Sequence, residues 1–507
     1  MSGARAASVA DVCLLLEGSY PYVVGGVSNW VDELMRSHPH LTFHLVSLLP
    51  DRNVPRLRYD LPRNAVGLDH VFLQDVGKGP SRFAGLETLL ARIEPALGRL
   101  QAAGGLADLA AVIDALAPHR GRLGRRTLLD SPEAWRLIVR MYESTVRGTS
   151  FLDYFWTWRA QIGGLFAALL CDLPGAKVYH TTSTGYAGLL AARAALETGR
   201  PAIVTEHGIY TNERRIEIAM AQWLGRQQRF GFGVESEGRS LKDLWVDTFV
   251  SYSHACYEAC DAIVTLYQGN QELQRRDGAD PAKMRVIPNG VDYAGLSRIA
   301  RDPTPRRPTV AFIGRVVPIK DVKTFIYSIA HLRTMVPDIR ALVLGPEDED
   351  PEYAAECRKL VAQADLAKVV SFAGQVRLED YLDRIDVVVL TSISEAQPLV
   401  ILEAGAAGVP TVATDVGACR EMIQGAADEV PAFGPGGAIT ALADPVATAM
   451  AVADLLLRPS HREACAKAIK ARVAATYNRD TLNEVYRALY DELRQRPDRA
   501  ARLAEVA

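Results

Sequence analysis

The sequence lacks a surplus of charge of either sign. Its 57 lysine and arginine residues face 60 aspartate and glutamate residues, so the formal net charge is −3. A protein that binds nucleic acid without sequence preference needs a basic surplus, because its affinity comes largely from displacing the counterions of the phosphates. We therefore expect no nucleic-acid partner.

Long apolar runs are also missing. No stretch approaches the roughly 20 consecutive apolar residues that a transmembrane helix requires. The short apolar run near the start is interrupted by Asp11, which is typical of a first core strand and not of an export signal. The sequence therefore predicts a cytoplasmic protein, and it leaves open peripheral docking on the inner membrane through a protein complex.

Cysteine is sparse and irregularly spaced. The chain has seven cysteines, and Cys256 and Cys260 lie four apart in a helical pattern without a second pair or a histidine at metal-ligand spacing. This spacing argues against a disulfide framework and against a zinc site. We expect buried thiols in a reducing compartment and no metal.

The pattern that is present is a repeated alternation of short apolar runs and amphipathic helical stretches. At 507 residues the chain suits two domains, and the alternation is typical of parallel sheets with crossover helices. The sequence therefore predicts a doubly wound α/β architecture. The predicted strands are residues 12–16, 43–48, 177–182, 202–207, 262–267 and 285–289 in the first half, and 309–314, 341–345, 369–374, 386–391 and 411–415 in the second.

A proline-rich segment separates the two halves. Pro303, Pro305 and Pro308 lie in the polar stretch RIARDPTPRRPT, which supports neither a helix nor a central strand. We expect a first domain over residues 1–300, with a helical insertion at about 75–175, and a second domain over residues 308–478. Residues 479–507 are predicted to be a C-terminal helix followed by an arginine-rich tail.

Two glutamates mark the first candidate site. Glu395 and Glu403 flank the start of a helix that is predicted from about Pro398, after the strand at 386–391. Free amides at a helix N-terminus suit hydroxyl and phosphate oxygens, and ligands of open α/β sheets bind at the carboxyl ends of the strands. The candidate amides are those of Ala396, Gln397, Leu399 and Val400, since Pro398 has no N–H. Alternatively, Glu395 is a helix cap and Glu403 a surface residue.

A second candidate site follows the first strand of the second half. That strand ends at Gly314, and Arg315 and Lys320 follow in the loop that leads into a helix. Two cations at a strand's carboxyl end are able to neutralise a diphosphate leaving group, since arginine offers a planar fork and lysine a mobile charge. The alternative is an ordinary solvated arginine and lysine.

Two weaker signals lie in the first half. Gly25 and Gly26 precede a helical pattern after the first strand, where glycine allows the backbone to approach a ligand closely. His207 closes the strand at 202–207 and is placed to contact a sugar hydroxyl. The alternatives are a tight β–α turn and a structural histidine.

These segments together resemble family 4 of the retaining glycosyltransferases. In the second half the E-x7-E segment at 395–403, the G-R-x4-K loop at 314–320 and the VIPNGVD turn at 286–292 carry the resemblance. In the first half, residues 17–31, 205–219 and 251–292 are similar to the cytosolic transferases of bacterial Pel exopolysaccharide assembly. The resemblance implies a GT-B fold, in which two Rossmann-like domains face a central cleft and the C-terminal helix crosses back onto the first domain.

The resemblance also implies the substrates. The donor is a UDP-sugar, the acceptor a growing polysaccharide, and the partners are inner-membrane Pel synthase proteins. No cofactor and no divalent metal are implied. The donor diphosphate is held by Arg315 and Lys320, the ribose hydroxyls by Glu403, and the base by the loop that contains Gly374, Gln375 and Val376.

The same resemblance assigns the transferred sugar. Glu395 and the amides after it bind the sugar hydroxyls, His207 contacts the sugar from the opposite domain, and Gly25 and Gly26 face the phosphates or the sugar. The implied catalytic residues are therefore His207, Glu395, Arg315 and Lys320, acting by a front-face mechanism that retains the anomeric configuration.

One departure from the family pattern leaves the donor sugar open. Many members have glycine after the first glutamate, whereas this chain has Ala396, Gln397 and Pro398. Both UDP-glucose and UDP-N-acetylhexosamines fit the resemblance. The acidic stretch at residues 347–350 is predicted to be a surface loop. Two alternative functions remain: a sugar-nucleotide 2-epimerase of the same fold, and a non-catalytic UDP-sugar-binding subunit of a membrane polysaccharide synthase.

Overall fold

The computed structural model describes residues 9–146, 149–220, 239–301 and 306–496, without the side chains of residues 219 and 220. The chain divides into two compact units. The first comprises Met1–Val286 together with Tyr486–Ala507, and the second comprises Ile287–Val485. The proline-rich segment at 298–309, parts of which lie outside the described residues, therefore belongs to the second unit, as do residues 287–297.

The first unit is built on a seven-stranded sheet in the order β3-β2-β1-β4-β5-β6-β7. All neighbouring strands in this sheet are parallel. The chain starts in the middle at β1 and extends the sheet first to one side and then to the other, which is the doubly wound pattern. The strands are β1 (Ala10–Glu17), β2 (Phe43–Leu49), β3 (Ala65–Phe72), β4 (Ala176–Thr181), β5 (Ala202–Glu206), β6 (Ala262–Thr265) and β7 (Met284–Val286).

Strand β3 was missed by the sequence analysis. It lies at the edge of the sheet, and of its eight residues only Val71 is buried. An edge strand that packs on few neighbours needs no continuous apolar run, so the sequence pattern that revealed the other strands is absent here.

The helices of the first unit lie between these strands, and five of them (α2 to α6) lie between β3 and β4. Their buried faces pack against the sheet in one large apolar core, in which Trp158 is fully buried. The helices are α1 (Gly26–Ser37), α2 (Leu86–Leu100), α3 (Leu106–Leu116), α4 (Arg125–Leu128), α5 (Pro132–Thr145), α6 (Phe151–Leu170), α7 (Tyr186–Thr198), α8 (Tyr210–Met220), α9 (Leu241–Ala259) and α10 (Gln268–Arg276).

The second unit has a six-stranded parallel sheet in the order β10-β9-β8-β11-β12-β13. The edge strand β13 was also missed by the sequence analysis, because it is only four residues long, GAIT, and mostly half-buried. The strands are β8 (Thr309–Ile313), β9 (Arg340–Leu344), β10 (Val370–Gly374), β11 (Val387–Leu390), β12 (Thr411–Thr414) and β13 (Gly437–Thr440).

The helices of the second unit cover its sheet and enclose a separate apolar core. They are α11 (Tyr293–Leu296), α12 (Val322–Met335), α13 (Pro351–Gln363), α14 (Leu399–Ala406), α15 (Cys419–Gln424), α16 (Pro445–Leu457) and α17 (Pro459–Thr476). A last helix, α18 (Arg479–Arg494), begins in this unit, and from Tyr486 onward its residues group with the first unit. There Tyr490 Oη lies 2.6 Å from His180 Nδ1 at the end of β4.

Both units are therefore parallel, doubly wound, Rossmann-like α/β folds, which confirms the predicted fold class. None of the helices in the described parts of the chain combines the length and apolarity that crossing a bilayer requires.

Candidate functional site

The predicted site residues of the second unit lie at the carboxyl edge of its sheet. The loops that follow the neighbouring strands β8 and β11 pack against each other there. Thr391 Oγ1 donates to the carbonyls of Lys320 (3.2 Å) and Asp321 (2.8 Å), and the Ile393 N–H donates to the Ile319 carbonyl at 2.9 Å. This packing brings two segments that are 75 residues apart in sequence into one place.

A lysine–glutamate pair lies where these two loops meet. Lys320 Nζ is 2.5 Å from Glu395 Oε1, and Ser392 Oγ donates to the same oxygen at 2.6 Å. The side chains of Lys320 and Glu395 are 18% and 11% exposed, so the pair is largely removed from water but still reachable. A charge-assisted hydrogen bond in such a setting fixes both side chains, and Nζ uses one of its three hydrogens for it.

The backbone around Glu395 is held by the loop after β12. The Ala418 N–H donates to the Ala396 carbonyl at 2.8 Å, and Thr414 Oγ1 donates to the Ser392 carbonyl at 2.6 Å. Gly417 has a φ of +51°, and a Cβ there would lie 2.1 Å from the Glu395 carbonyl oxygen. Only glycine fits this close approach of two backbones, so the position of the Glu395 segment depends on it.

Arg315 has a different partner from Lys320. Its Nη1 lies 2.5 and 2.6 Å from the two carboxylate oxygens of Glu349, and both side chains are 51% exposed. The acidic stretch at 347–350, predicted to be a surface loop, is exposed at Glu349. Through this residue it also contacts the candidate site residue Arg315. The two cations therefore lie on the same loop, after Gly314, and each is paired with a carboxylate.

Glu403 lies in the middle of α14, one to two turns from the helix start at Leu399. Burial raises the pKa of the Glu403 carboxyl, and the nearby charge of Glu379 adds to this effect. Glu379 belongs to the segment that follows β10. The candidate base-binding residues Gly374, Gln375 and Val376 lie at the end of β10 and the start of that segment. The Gly374 carbonyl accepts from the Gly345 N–H at 2.8 Å, which links this loop to the one after β9.

The first α14 turn begins one residue later than predicted. Pro398 is the N-cap residue, and Leu399 and Val400 are the first two helical residues. Since the Ile401 N–H is already bonded to the Pro398 carbonyl at 3.1 Å, the amides of Leu399 and Val400 are the ones at the open end of the helix.

In the first unit, Gly25 and Gly26 form the start of α1, in the loop after β1. Gly25 is the N-cap with an extended φ of 177°, and Gly26 is the first helical residue. A Cβ at either position would meet no atom of the described residues within 4 Å. The space in front of both glycines is therefore open, and internal crowding does not explain why they are glycine.

His207 follows β5 and is buried at 8% exposure. Its ring packs edge-on against Trp30 of α1, with centroids 4.7 Å apart. Burial lowers the pKa of His207 to about 4, so the imidazole is neutral at pH 7. Its Nε2 is buried and has no hydrogen-bond partner among the described residues, which is uncommon for a buried polar atom.

Glu206, the residue before His207, was not singled out in the sequence analysis. It is fully buried, and its carboxylate accepts hydrogen bonds from Tyr257 Oη (2.5 Å), Gln274 Nε2 (2.9 Å) and the Tyr210 N–H (3.3 Å). Burial raises the pKa of Glu206 to about 7. These partners are 4 to 68 residues away along the chain, and no local spacing reveals them.

The structure thus gathers the predicted residues into one set per unit. At the carboxyl edge of the second sheet lie Gly314, Arg315, Lys320, Gly374, Gln375, Val376, Glu395, Ala396, Gln397, Pro398, Leu399, Val400 and Glu403. At the carboxyl edge of the first sheet lie Gly25, Gly26 and His207. Among the described residues no group of three or more potential metal-ligating side chains comes together.

Two family descriptions match the chain. Residues 10–282, more than half of the chain, match "Domain of unknown function (DUF3492)". Residues 307–458 match "Glycosyl transferases group 1", and this range contains all the candidate site residues of the second unit.

Curated relatives match parts of the chain. The D-inositol 3-phosphate glycosyltransferase 2 of Catenulispora acidiphila is 34% identical over 210 residues, which is 38% of this chain and 47% of the relative. The alpha-maltose-1-phosphate synthase of Mycolicibacterium smegmatis is 26% identical over 263 residues, 48% of this chain and 60% of the relative. The chain thus spans about half the length of the curated relatives it matches.

Solved structures share the fold over nearly the whole chain. The sucrose-phosphate synthase of Thermosynechococcus elongatus has a TM-score of 0.56 at 17% identity and covers 95% of this chain and 99% of its own. The Anabaena HepE protein in complex with UDP has a TM-score of 0.58 at 13% identity, with 95% and 100% covered. At these identities the likeness supports the fold alone, which is the GT-B arrangement of two Rossmann-like domains.

Proposed function

This chain belongs to the DUF3492 family and its second unit to the group 1 glycosyl transferases, and on that premise we propose that it is a retaining glycosyltransferase. It moves a hexose or N-acetylhexosamine from a UDP-sugar to a growing exopolysaccharide. The polysaccharide is Pel, and the chain is a transferase of the PelF type that works with inner-membrane Pel synthase proteins. The similarity of residues 17–31, 205–219 and 251–292 to that type supports this assignment.

The observation that carries the proposal is the Lys320–Glu395–Ser392 cluster at the carboxyl edge of the second sheet. It joins a cation to a carboxylate four residues before the first helical residue of α14. A sugar diphosphate needs a positive group for its phosphates and hydrogen-bond acceptors for its hydroxyls. Lys320 supplies the first and Glu395 the second, side by side. A solved structure of the same fold that contains UDP, the HepE complex, supports the choice of nucleotide.

The proposed reaction needs no protein nucleophile. The bond between the anomeric carbon and the diphosphate oxygen breaks, and the UDP leaves with the electron pair. An acceptor hydroxyl forms its bond to the anomeric carbon on the face that the UDP leaves, and its proton passes to the departing phosphate. Lys320 and Arg315 stabilise the charge that develops on the phosphate, so we propose that no divalent metal is needed.

The remaining residues bind and orient the donor. Glu403 accepts hydrogen bonds from the ribose, next to the 374–376 loop that holds the base, and Glu395 with the Leu399 and Val400 amides binds the sugar hydroxyls. His207 contributes its Nε2 to the transferred sugar. This buried nitrogen has no partner within the described ranges of the chain, which supports that role, since a ligand would supply the missing hydrogen bond.

The test is a transfer assay with the full chain. The protein is incubated with a panel of nucleotide sugars and an oligosaccharide acceptor, with and without EDTA, and UDP and products are quantified. The proposal predicts that UDP release equals acceptor elongation, that the new linkage keeps the donor's anomeric configuration, and that EDTA has no effect. An epimerised nucleotide sugar formed without acceptor would establish the 2-epimerase alternative. Binding of a UDP-sugar without UDP release in the presence of acceptor would establish the regulatory subunit.

A further inference from the structure

Gln397 lies two residues after Glu395 and makes an unusual hydrogen bond. Its side chain is buried at 7% exposure, and its Oε1 accepts from the Asn289 N–H at 2.7 Å. A backbone N–H only donates, so the oxygen of the carboxamide must face the Asn289 N–H, and the nitrogen is left for another partner. The orientation of this amide is therefore fixed by chemistry.

The nitrogen of the carboxamide is the end that lacks a partner in the described part of the chain. Gln397 Nε2 is buried and unpaired among the described residues, and so is Asn289 Oδ1. Buried polar atoms are nearly always hydrogen-bonded, because an unpaired one loses its water without compensation. A single ligand group that both accepts and donates would pair the donor of Gln397 and the acceptor of Asn289, two residues that are already joined by a hydrogen bond.

Both residues are held rigidly. On one side, the Ala418 N–H bonds to the Ala396 carbonyl. On the other side, the turn after Asn289 is bonded to the end of α17 and the start of α18: the Val291 N–H donates to Tyr477 at 3.0 Å, and the Arg479 N–H donates to Val291 at 3.1 Å. A backbone held in this way keeps its position before a ligand arrives, which lowers the entropy cost of binding.

We propose that Gln397 and Asn289 form a specificity site for one polar substituent of the transferred sugar. Gln397 Nε2 donates to the oxygen of that substituent, and Asn289 Oδ1 accepts its hydrogen. A sugar hydroxyl and an acetamido group both carry this donor–acceptor pair. The inference rests on the proposed function, because it takes the Glu395 segment as the place where the transferred sugar binds.

The experiment combines protein variants with donors that lack single substituents. The kcat/KM is measured with UDP-glucose, with its 2-, 3-, 4- and 6-deoxy analogues, and with UDP-N-acetylglucosamine, for the wild type, Gln397→Met and Gln397→Glu. Methionine removes both polar atoms at similar size, whereas glutamate keeps an acceptor for the Asn289 N–H and removes the donor. Gln363→Met, the same change at an exposed position of α13, is the control. The Kd for UDP alone is measured for all four proteins.

We expect the wild-type kcat/KM to fall when one particular substituent of the donor sugar is missing. In both Gln397 variants this preference, the ratio of the two kcat/KM values, should shrink by about 10- to 100-fold, the usual contribution of one buried hydrogen bond. If the substituent is a hydroxyl, the lost preference is that between UDP-glucose and one deoxy analogue. If it is the acetamido group, the lost preference is that between UDP-N-acetylglucosamine and UDP-glucose. The Kd for UDP stays at the wild-type value.

Two results would overturn the inference. One is that both variants keep the wild-type preference at every substituent. The other is that their affinity for UDP falls as far as that for the UDP-sugars, which would make Gln397 a structural residue. A wild-type protein that binds no nucleotide sugar would instead overturn the proposed function itself, so the two failures are distinguishable.

Discussion

The buried carboxyl of Glu206 makes the stability of the first unit depend on pH. The side chain is fully buried at the end of β5, and burial raises its pKa from 4.5 to about 7 even though Tyr257, Gln274 and the Tyr210 N–H bond to it. The buried Asp277 at the end of α10 adds to the rise. In the unfolded chain the same carboxyl is in water and has its ordinary pKa.

The sign and size of the effect follow from this difference. Below pH 4.5 Glu206 is protonated in both states and has no effect on the pH dependence. Between pH 4.5 and 7 the unfolded chain loses the proton and the folded chain keeps it, so the free energy of unfolding falls as the pH rises. Above pH 7 the decrease in the free energy of unfolding is complete, and it amounts to about 3 kcal/mol.

The assay compares the wild type with Glu206→Gln, which is neutral at every pH. All six tryptophans lie within residues 1–286, so urea unfolding followed by tryptophan fluorescence reports on the first unit. The difference in free energy of unfolding between wild type and variant is expected to fall by about 3 kcal/mol from pH 4.5 to pH 8. A difference that is independent of pH, or that rises with pH, would refute the reasoning.

Two further predictions concern the second unit. Gly417→Ala should displace the Glu395 segment and lower both the melting temperature and the transfer rate. The control is Gly408→Ala, at a similar φ of +73°, where an added Cβ would lie 3.8 Å from Lys470 Cδ; it should lower the melting temperature slightly and leave the transfer rate unchanged. Equal effects of the two substitutions would contradict the argument. Arg472, 1% exposed, holds Glu429 and two backbone carbonyls, so Arg472→Met should destabilise this unit by about 3–5 kcal/mol. Lys467→Met, which removes an exposed pair with Glu463, is the control and should not change the denaturation midpoint.

The sequence was most informative about strands that are buried on both faces. The predicted strands at 12–16, 309–314 and 386–391 each contain a continuous apolar run of four or five residues, because helices cover both sides of a central parallel strand. The edge strands β3 and β13 lack that environment and therefore lack the pattern. The edge strands β7 and β10 overlap the predicted strands at 285–289 and 369–374, so an edge position weakens the sequence signal without always removing it.

The positions of the candidate residues after the ends of strands were predictable from the sequence, but their pairings were not. Lys320 and Glu395 were both expected in it, yet their 2.5 Å contact joins loops 75 residues apart, and the Arg315–Glu349 pair joins another two. Glu206 was not recognised because its partners come from three different helices. Such contacts depend on how the β–α loops pack, which the order of residues in one loop does not determine.

The most direct test of the account is the effect of Lys320 on turnover with a UDP-sugar. Removing one preorganised charge that stabilises a leaving group typically lowers kcat by about 10²- to 10³-fold, and this is the loss expected for Lys320→Met with an unchanged fold. Lys323→Met removes a cation three residues further along, on an exposed side chain paired with Glu356, and should keep wild-type turnover. Wild-type kcat in Lys320→Met, or equal losses in both variants, would contradict the claim that this edge of the sheet binds the donor diphosphate.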